Sequence, residues 1–74
     1  MTAADLAALA APRLARMGRR VPAVDVAWVA ERALRRRAAE HPELRLLDPA
    51  ARRAVWQSWA TDLAWQVAED AAAL

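Results

Sequence analysis

The sequence has no cysteine, lysine, isoleucine, phenylalanine or tyrosine, and it has only one glycine and one histidine. Without cysteine, neither a disulfide framework nor a cysteine-based zinc site can form. A single histidine leaves few ligands for any other zinc site. One glycine cannot make the glycine-rich loop that cradles phosphate groups. We therefore expect neither a metal nor a cofactor. The disulfide bonds and structural metal sites that commonly stabilise a small domain are excluded.

The apolar residues that are present are mostly small. Of the 58% that is hydrophobic, 22 residues are alanine and only 21 are leucine, valine, methionine or tryptophan. Alanine buries little area, and each buried Å² contributes roughly 25 cal/mol. A chain of 74 residues with so thin a core usually needs oligomerisation or a larger partner. We expect a single helical domain over residues 1–74 that forms a homo-oligomer or docks on another protein.

Charge is unevenly distributed along the chain. Residues 1–56 carry eleven arginines and six acidic residues, a net charge of +5, whereas residues 57–74 carry three acidic residues and no base. Such asymmetry can steer association with nucleic acid or an acidic protein, and it can equally reflect pairing between helices.

The N-terminal Ala/Leu run is not a signal sequence by its pattern, because no basic residue precedes it and Asp5 interrupts it. No uncharged apolar stretch approaches the length of a membrane span. A cytoplasmic location is expected.

Helical periodicity and capping signals predict an all-α, three-helix domain with helices over about 3–17, 22–40 and 49–72. Thr2 and Asp5 resemble a capping box at the first helix start, and Gly18 suits the left-handed position after its end. Pro12 interrupts the pattern. Either the first helix kinks there, or residues 3–11 form a separate short helix.

Prolines mark the other boundaries. Pro22 suits the first turn of the second helix, and His41-Pro42 ends that helix. Asp48 as N-cap and Pro49 at the first helical position predict the start of the third helix. Residues 41–48 are either a loop or one helical turn from Pro42, with Leu44 and Leu47 closing the end of the core.

The four tryptophans do not share one direction. On the third helix, Trp56 and Trp59 fall on the main apolar face with Leu63 and Val67, whereas Trp65 points the opposite way. On the second helix, Trp28 lies opposite the apolar face formed by Val26, Val29, Ala30, Ala33 and Leu34. One small core cannot bury both sides of a helix, so Trp28 and Trp65 are expected near the surface.

Exposed tryptophan with nearby arginine favours a contact surface, because Trp and Arg are enriched at binding hot spots. We interpret Trp28, Arg32, Arg35 and Trp65 as a partner interface of a small non-enzymatic interaction module, either an accessory or regulatory subunit or a self-associating protein. The alternative is that arginine stems simply cover the indoles, as in a cation–π pair of Trp28 with Arg32 one turn later.

A second hypothesis is a small arginine-rich regulator that binds nucleic acid through Arg35, Arg36, Arg52 and Arg53, since guanidinium groups suit bidentate phosphate contacts. Arg37 falls near the apolar face and should pair with an acid. Asp62, Gln66 and Glu69 form a stripe on the third helix that suits pairing with arginines of the second helix.

Nothing in the pattern predicts catalysis. His41 has no Ser or Cys nucleophile nearby, and Ser58 and Thr61 lie inside a helix without the context of a nucleophile elbow. The chain is expected not to be an enzyme.

Residues Val24 to Arg37 resemble the second helix of ribbon–helix–helix repressors and antitoxins, which would imply DNA binding. The resemblance covers under a fifth of the chain. That family reads DNA with an N-terminal strand, whereas residues 1–17 here are predicted to be helical.

Overall fold

A computed structural model describes all 74 residues. Three α-helices, α1 (Ala3–Arg16), α2 (Ala23–Glu40) and α3 (Pro49–Ala72), account for most of the chain, with a 3-10 turn over Pro42–Leu46 between α2 and α3. There is no strand. The all-α, three-helix prediction is confirmed.

Helix α1 begins at the predicted capping box. The Thr2 hydroxyl oxygen accepts from the backbone N–H of Asp5 at 3.1 Å, and the Asp5 carboxylate accepts from the N–H of Thr2 at 3.1 Å. The helix continues unbroken through Pro12. The alternative of a separate short helix over residues 3–11 is therefore wrong.

Gly18 ends α1 in the way its position predicts. Its φ of 69° is left-handed, its N–H donates to the carbonyl of Ala15, and the Arg19 N–H donates to the carbonyl of Leu14. This is the hydrogen-bond pattern of a Schellman motif, which turns the chain sharply towards α2.

We expect Gly18→Ala to lower the free energy of unfolding by about 1 kcal/mol, since the left-handed conformation is costly for a residue with a Cβ. A Cβ there would meet no atom within 4 Å, so the whole cost is conformational. Urea unfolding followed by circular dichroism measures it. Gly18→Asn is the matched control and should cost less, because asparagine tolerates this conformation; equal losses for both variants would contradict the explanation.

Helix α2 begins one residue later than predicted. Pro22 is its N-cap, with φ −54° and ψ 140°, rather than its first helical residue. Helix α3 has the predicted bounds, because the Asp48 carboxylate caps it by accepting from the N–H of Ala51 at 2.8 Å and Pro49 follows as the first helical residue. Its 24 residues span about 36 Å, close to the 40 Å length of the molecule.

The three helices run alternately up and down. Arg37 contacts Asp62, and His41, later in the chain, contacts Trp59, which comes before Asp62. Helices α2 and α3 therefore run in opposite directions. The connection of residues 17–22 reverses the chain between α1 and α2. Helices α1 and α3 are therefore parallel to each other and antiparallel to α2.

One cluster forms the core, and all three helices contribute to it. Its eleven members are Leu6, Ala10, Leu14, Val26, Val29, Ala30, Leu63, Ala64, Val67, Ala68 and Ala71. Five of them are alanine, so the thin core expected from composition is what the fold has.

The end of the bundle away from Gly18 is less well covered than the sequence predicts. Trp56 and Trp59 face the core but are only partly buried. Leu44 is buried outside the main cluster, and Leu47 is half-buried. The reason is the short α1: its N-terminal residues Met1 and Asp5 line a groove with Gln57, so the first turns of α3 extend past it.

Candidate interaction surfaces

Trp28 lies on the outer side of α2 and is 52% exposed. The Arg32 guanidinium lies over its ring, 4.7 Å from the centroid, which is the cation–π pair that the spacing predicts. Val24, one turn earlier on the same side, is 74% exposed. Trp28 is thus held in place by arginine and still leaves about half of its indole accessible.

Trp65 lies on the outer side of α3 and is 42% exposed. The Arg13 guanidinium of α1 sits 5.0 Å from its ring centroid, and Arg13 Nη1 also donates to the carbonyl of Leu9 at 2.6 Å. The buried Nε of Arg13 has no hydrogen-bond partner. The exposure of Trp65 was predictable from α3 alone, but its arginine neighbour on another helix was not.

Arg35 forms an ion pair with Glu31, one turn before it, with 2.6 Å between Nη2 and Oε1. Both side chains are largely exposed, so the pair contributes little to stability. Trp28, Arg32 and Arg35 are together on the outer side of α2.

The structure does not bring the two exposed indoles together. Trp28 borders the groove between α2 and α3, of about 220 Å³, where Gln66, Asp70 and Leu74 also lie. Trp65 instead contacts α1 through Arg13. The residues predicted as one interface therefore form two separate surfaces, one over α2 and one beside α1.

The arginines of the nucleic-acid hypothesis are dispersed and partly engaged. Arg35 is paired with Glu31, and Arg36 lines a polar groove that also contains the acidic side chains of Glu40, Glu69 and Asp70.

Arg52 and Arg53 differ in what they contact. Arg52 donates to the backbone carbonyls of Leu44 and Leu47, at 3.2 and 2.8 Å, and so fastens the 3-10 turn to α3. Arg53 is exposed.

An aromatic cluster closes the far end of the bundle around Trp59. Its ring lies 5.1 Å from that of Trp56, edge to face, and 4.7 Å from that of His41. The Arg37 guanidinium is 5.0 Å from the Trp59 centroid and 2.9 Å from the Asp62 carboxylate. The prediction that Arg37 pairs with an acid is confirmed. The Arg37 side chain is largely buried, and its charge is balanced by the Asp62 carboxylate and by the face of the Trp59 ring.

Two exposed carboxylates have lowered pKa values. Hydrogen bonds from the backbone N–H and hydroxyl of Thr2 lower the pKa of Asp5 below its ordinary 3.8, and the hydrogen bond with His41, 2.8 Å long, lowers the pKa of Glu43 below its ordinary 4.5. A carboxylate whose pKa is lower when folded stabilises the fold above the unfolded pKa, and that contribution is lost as the pH falls through the folded value.

We therefore expect the fold to lose stability on acidification from pH 4.5 downward, beginning with Glu43 and continuing with Asp5. Urea unfolding at a series of pH values measures it. The double variant Asp5→Asn, Glu43→Gln should show a shallower loss. An unchanged acid dependence in that variant would mean that other carboxylates carry it.

A larger groove, which sequence reasoning missed, lies between α1 and α2. It has a volume of about 650 Å³, and eight of its eleven lining residues are hydrophobic. Leu14 and Val26 are its buried members, alanines of α1 form one wall, and Arg19 and Arg20 are its only charged residues. The available signal was that α1 has alanine on the side away from its leucines.

The comparisons with known proteins give no family assignment: no family model, no curated protein and no solved structure matches the chain. None of its helices combines the length and apolar character needed to cross a membrane. No three His or acidic side chains lie close enough together to hold a metal ion.

Proposed function

We propose that this chain is a non-enzymatic helical protein–protein interaction module, an accessory or regulatory subunit or a self-associating protein. Its contacts use Trp28 and Trp65 as anchors, with Arg32 and Arg35 at the polar rim. The observation that supports this most directly is that both indoles stay about half exposed although each already has an arginine over its ring.

The physical argument is one of preorganisation. Ordering a flexible side chain on binding costs about 0.5–1.5 kcal/mol. An indole with two rotatable bonds, already fixed by a cation–π contact, loses less freedom when a partner covers it. Burying the remaining apolar half of each ring, and desolvating the arginine beside it, is the kind of contact that dominates protein interfaces.

Site-specific photo-cross-linking in the cells that make the protein tests this proposal. A photoreactive amino acid replaces Trp28 in one variant and Trp65 in another, and Ala54, which is exposed on α3, is replaced in the control. We expect cross-links to a polypeptide, whether the same chain or another protein, from positions 28 or 65 and not from 54. Cross-links to nucleic acid only, or none above the control, would contradict it.

Salt dependence separates the two kinds of partner. A tryptophan-anchored contact should change little as salt rises, whereas phosphate binding weakens steeply, with log K falling linearly in log salt. In cell lysates, cross-linking from position 28 that is lost between low and physiological salt would support the nucleic-acid hypothesis against this proposal.

A further inference from the structure

The groove between α1 and α2 has an apolar floor, an alanine wall and a cationic end. Arg19 and Arg20 lie at that end, and neither takes part in an ion pair, since the pairs in this structure involve Arg35, Arg37 and His41. Seven of the eleven lining residues are exposed. A small ligand would be covered on one side only, whereas ligand sites usually bury most of their ligand. The open shape therefore fits a protein surface, one with a large apolar side chain and acidic neighbours.

The same chain carries such a surface on α3. Trp65 is its largest exposed apolar side chain there. Glu69 follows one turn later; it borders the polar groove that contains Arg36 but forms no ion pair in the single chain. Residues 57–74 contain three acidic residues and no base. A bulky indole opposite an alanine-lined groove, with carboxylates opposite unpaired guanidinium groups, is complementary in both size and charge.

The heights of these features along the bundle also match. Trp65 lies level with the turn of α1 between Leu9 and Arg13, because the Arg13 guanidinium that it contacts hydrogen-bonds to the Leu9 carbonyl. The groove spans residues 7–15 of α1. A two-fold axis parallel to the helices keeps every residue of a second copy at its own height. Trp65 of that copy then reaches the groove beside Ala8 and Ala11. Glu69, about 6 Å further along its helix, comes level with the last turn of α1, next to the Arg19–Arg20 end.

The alanine wall of the groove permits close approach of another helix. Ala8, Ala11 and Ala15 line the groove, and Ala4 continues the row towards the N-terminus. All four are exposed and recur at alternating spacings of four and three residues, as along the seam of two parallel helices. A dimer would also add to a core in which five of eleven residues are alanine, and such small cores are commonly completed by oligomerisation.

We propose that the occupant of the α1–α2 groove is a second copy of this chain, in a parallel two-fold dimer. Each Trp65 inserts into the other copy's groove, and Glu69 pairs with Arg19 and Arg20. The contact is reciprocal, so it closes at two copies. This inference rests on the proposed function and specifies the partner for the Trp65 surface; the Trp28 surface lies outside the dimer contact.

Sedimentation equilibrium of the purified full chain over a dilution series tests the dimer. We expect a dimer whose Kd rises roughly 30-fold or more in Trp65→Ala and in Ala11→Trp, which fills the groove. Trp28→Ala is the matched control and should leave Kd unchanged. Circular dichroism must show that each variant is folded; Ala11 is exposed, so its replacement tests the groove without removing a core contact.

Charge reversal tests the register. Arg19→Glu with Arg20→Glu should weaken the dimer, and adding Glu69→Arg to these changes should restore a measurable part of the loss. A chain that stays monomeric at every concentration, a dimer insensitive to Trp65→Ala and Ala11→Trp, or the absence of rescue would overturn the inference. A monomer that still cross-links to another protein from position 28 or 65 would leave the proposed function standing and remove only the dimer.

Discussion

Leu63→Ala is expected to lower the free energy of unfolding by about 2–5 kcal/mol. Leu63 is fully buried and is one of the three largest such side chains, with Leu6 and Val67. Five of the eleven residues in its core cluster are alanine, which has no flexible side chain to move into the space left behind. The cost therefore belongs towards the upper part of the range, which depends on how well a site can collapse.

This loss of stability is important because the total free energy of unfolding of so small a domain is itself small. At about 0.05–0.15 kcal/mol per residue, a chain of 74 residues has a stability of about 4–11 kcal/mol. Urea unfolding followed by far-UV circular dichroism measures the change. Leu46→Ala is the matched control: Leu46 is 88% exposed, so its removal should change stability by about 0.5 kcal/mol or less. Similar losses for both variants would show that α3 does not pack as described.

Local signals predicted the helix boundaries because the determinants are themselves local. The Thr2–Asp5 box, Gly18, and Asp48 followed by Pro49 each act within four residues, and each forms the predicted contact. The error at Pro22 is of the same local kind: proline suits both the N-cap and the first helical position sterically, and its ψ of 140° places it at the N-cap.

The sequence predicted which side of each helix faces the core. It did not predict how far one helix is shifted along the bundle axis relative to another. Periodicity placed Trp59 on the apolar face of α3, but it carries no information on where α1 begins relative to α3. The less well covered end of the bundle, with its partly buried Trp56, follows from that offset. The same limit explains why Arg13 over Trp65 and the carbonyl contacts of Arg52 were missed, since each joins residues of different elements.

The candidate interaction surfaces also combine features that a single helix determines with features that only the packing of helices determines. The exposure of Trp28 and Trp65 and the pairing of Arg32 with Trp28 follow from single helices, and all three are confirmed. Whether two exposed residues share a surface depends on how helices are arranged around the core, and here Trp28 and Trp65 lie on separate ones. The α1–α2 groove is likewise a property of the packed bundle, so no single segment could have predicted it.

The same substitution at two tryptophans of α3 should have opposite consequences. Trp59→Ala removes a ring that touches Trp56, His41 and Arg37 at 4.7 to 5.1 Å. It also leaves the largely buried charge of Arg37 without its stacking partner. Since Trp59 is partly buried, we expect the free energy of unfolding to fall by an amount near the lower end of the roughly 3–5 kcal/mol typical of a buried aromatic. That is a large part of the total stability of so small a domain.

Trp65→Ala removes only an exposed ring and its contact with Arg13, worth about 0.5–1 kcal/mol, so the chain should remain folded while its association weakens. Urea unfolding of both variants at one low concentration separates stability from association, because dimerisation makes apparent stability depend on concentration. Sedimentation on the same samples reports association. If Trp65→Ala proved the more destabilising of the two in the monomer, α3 would have to face its core with the opposite side, and both the groove contact and the exposed-tryptophan interface would lose their basis.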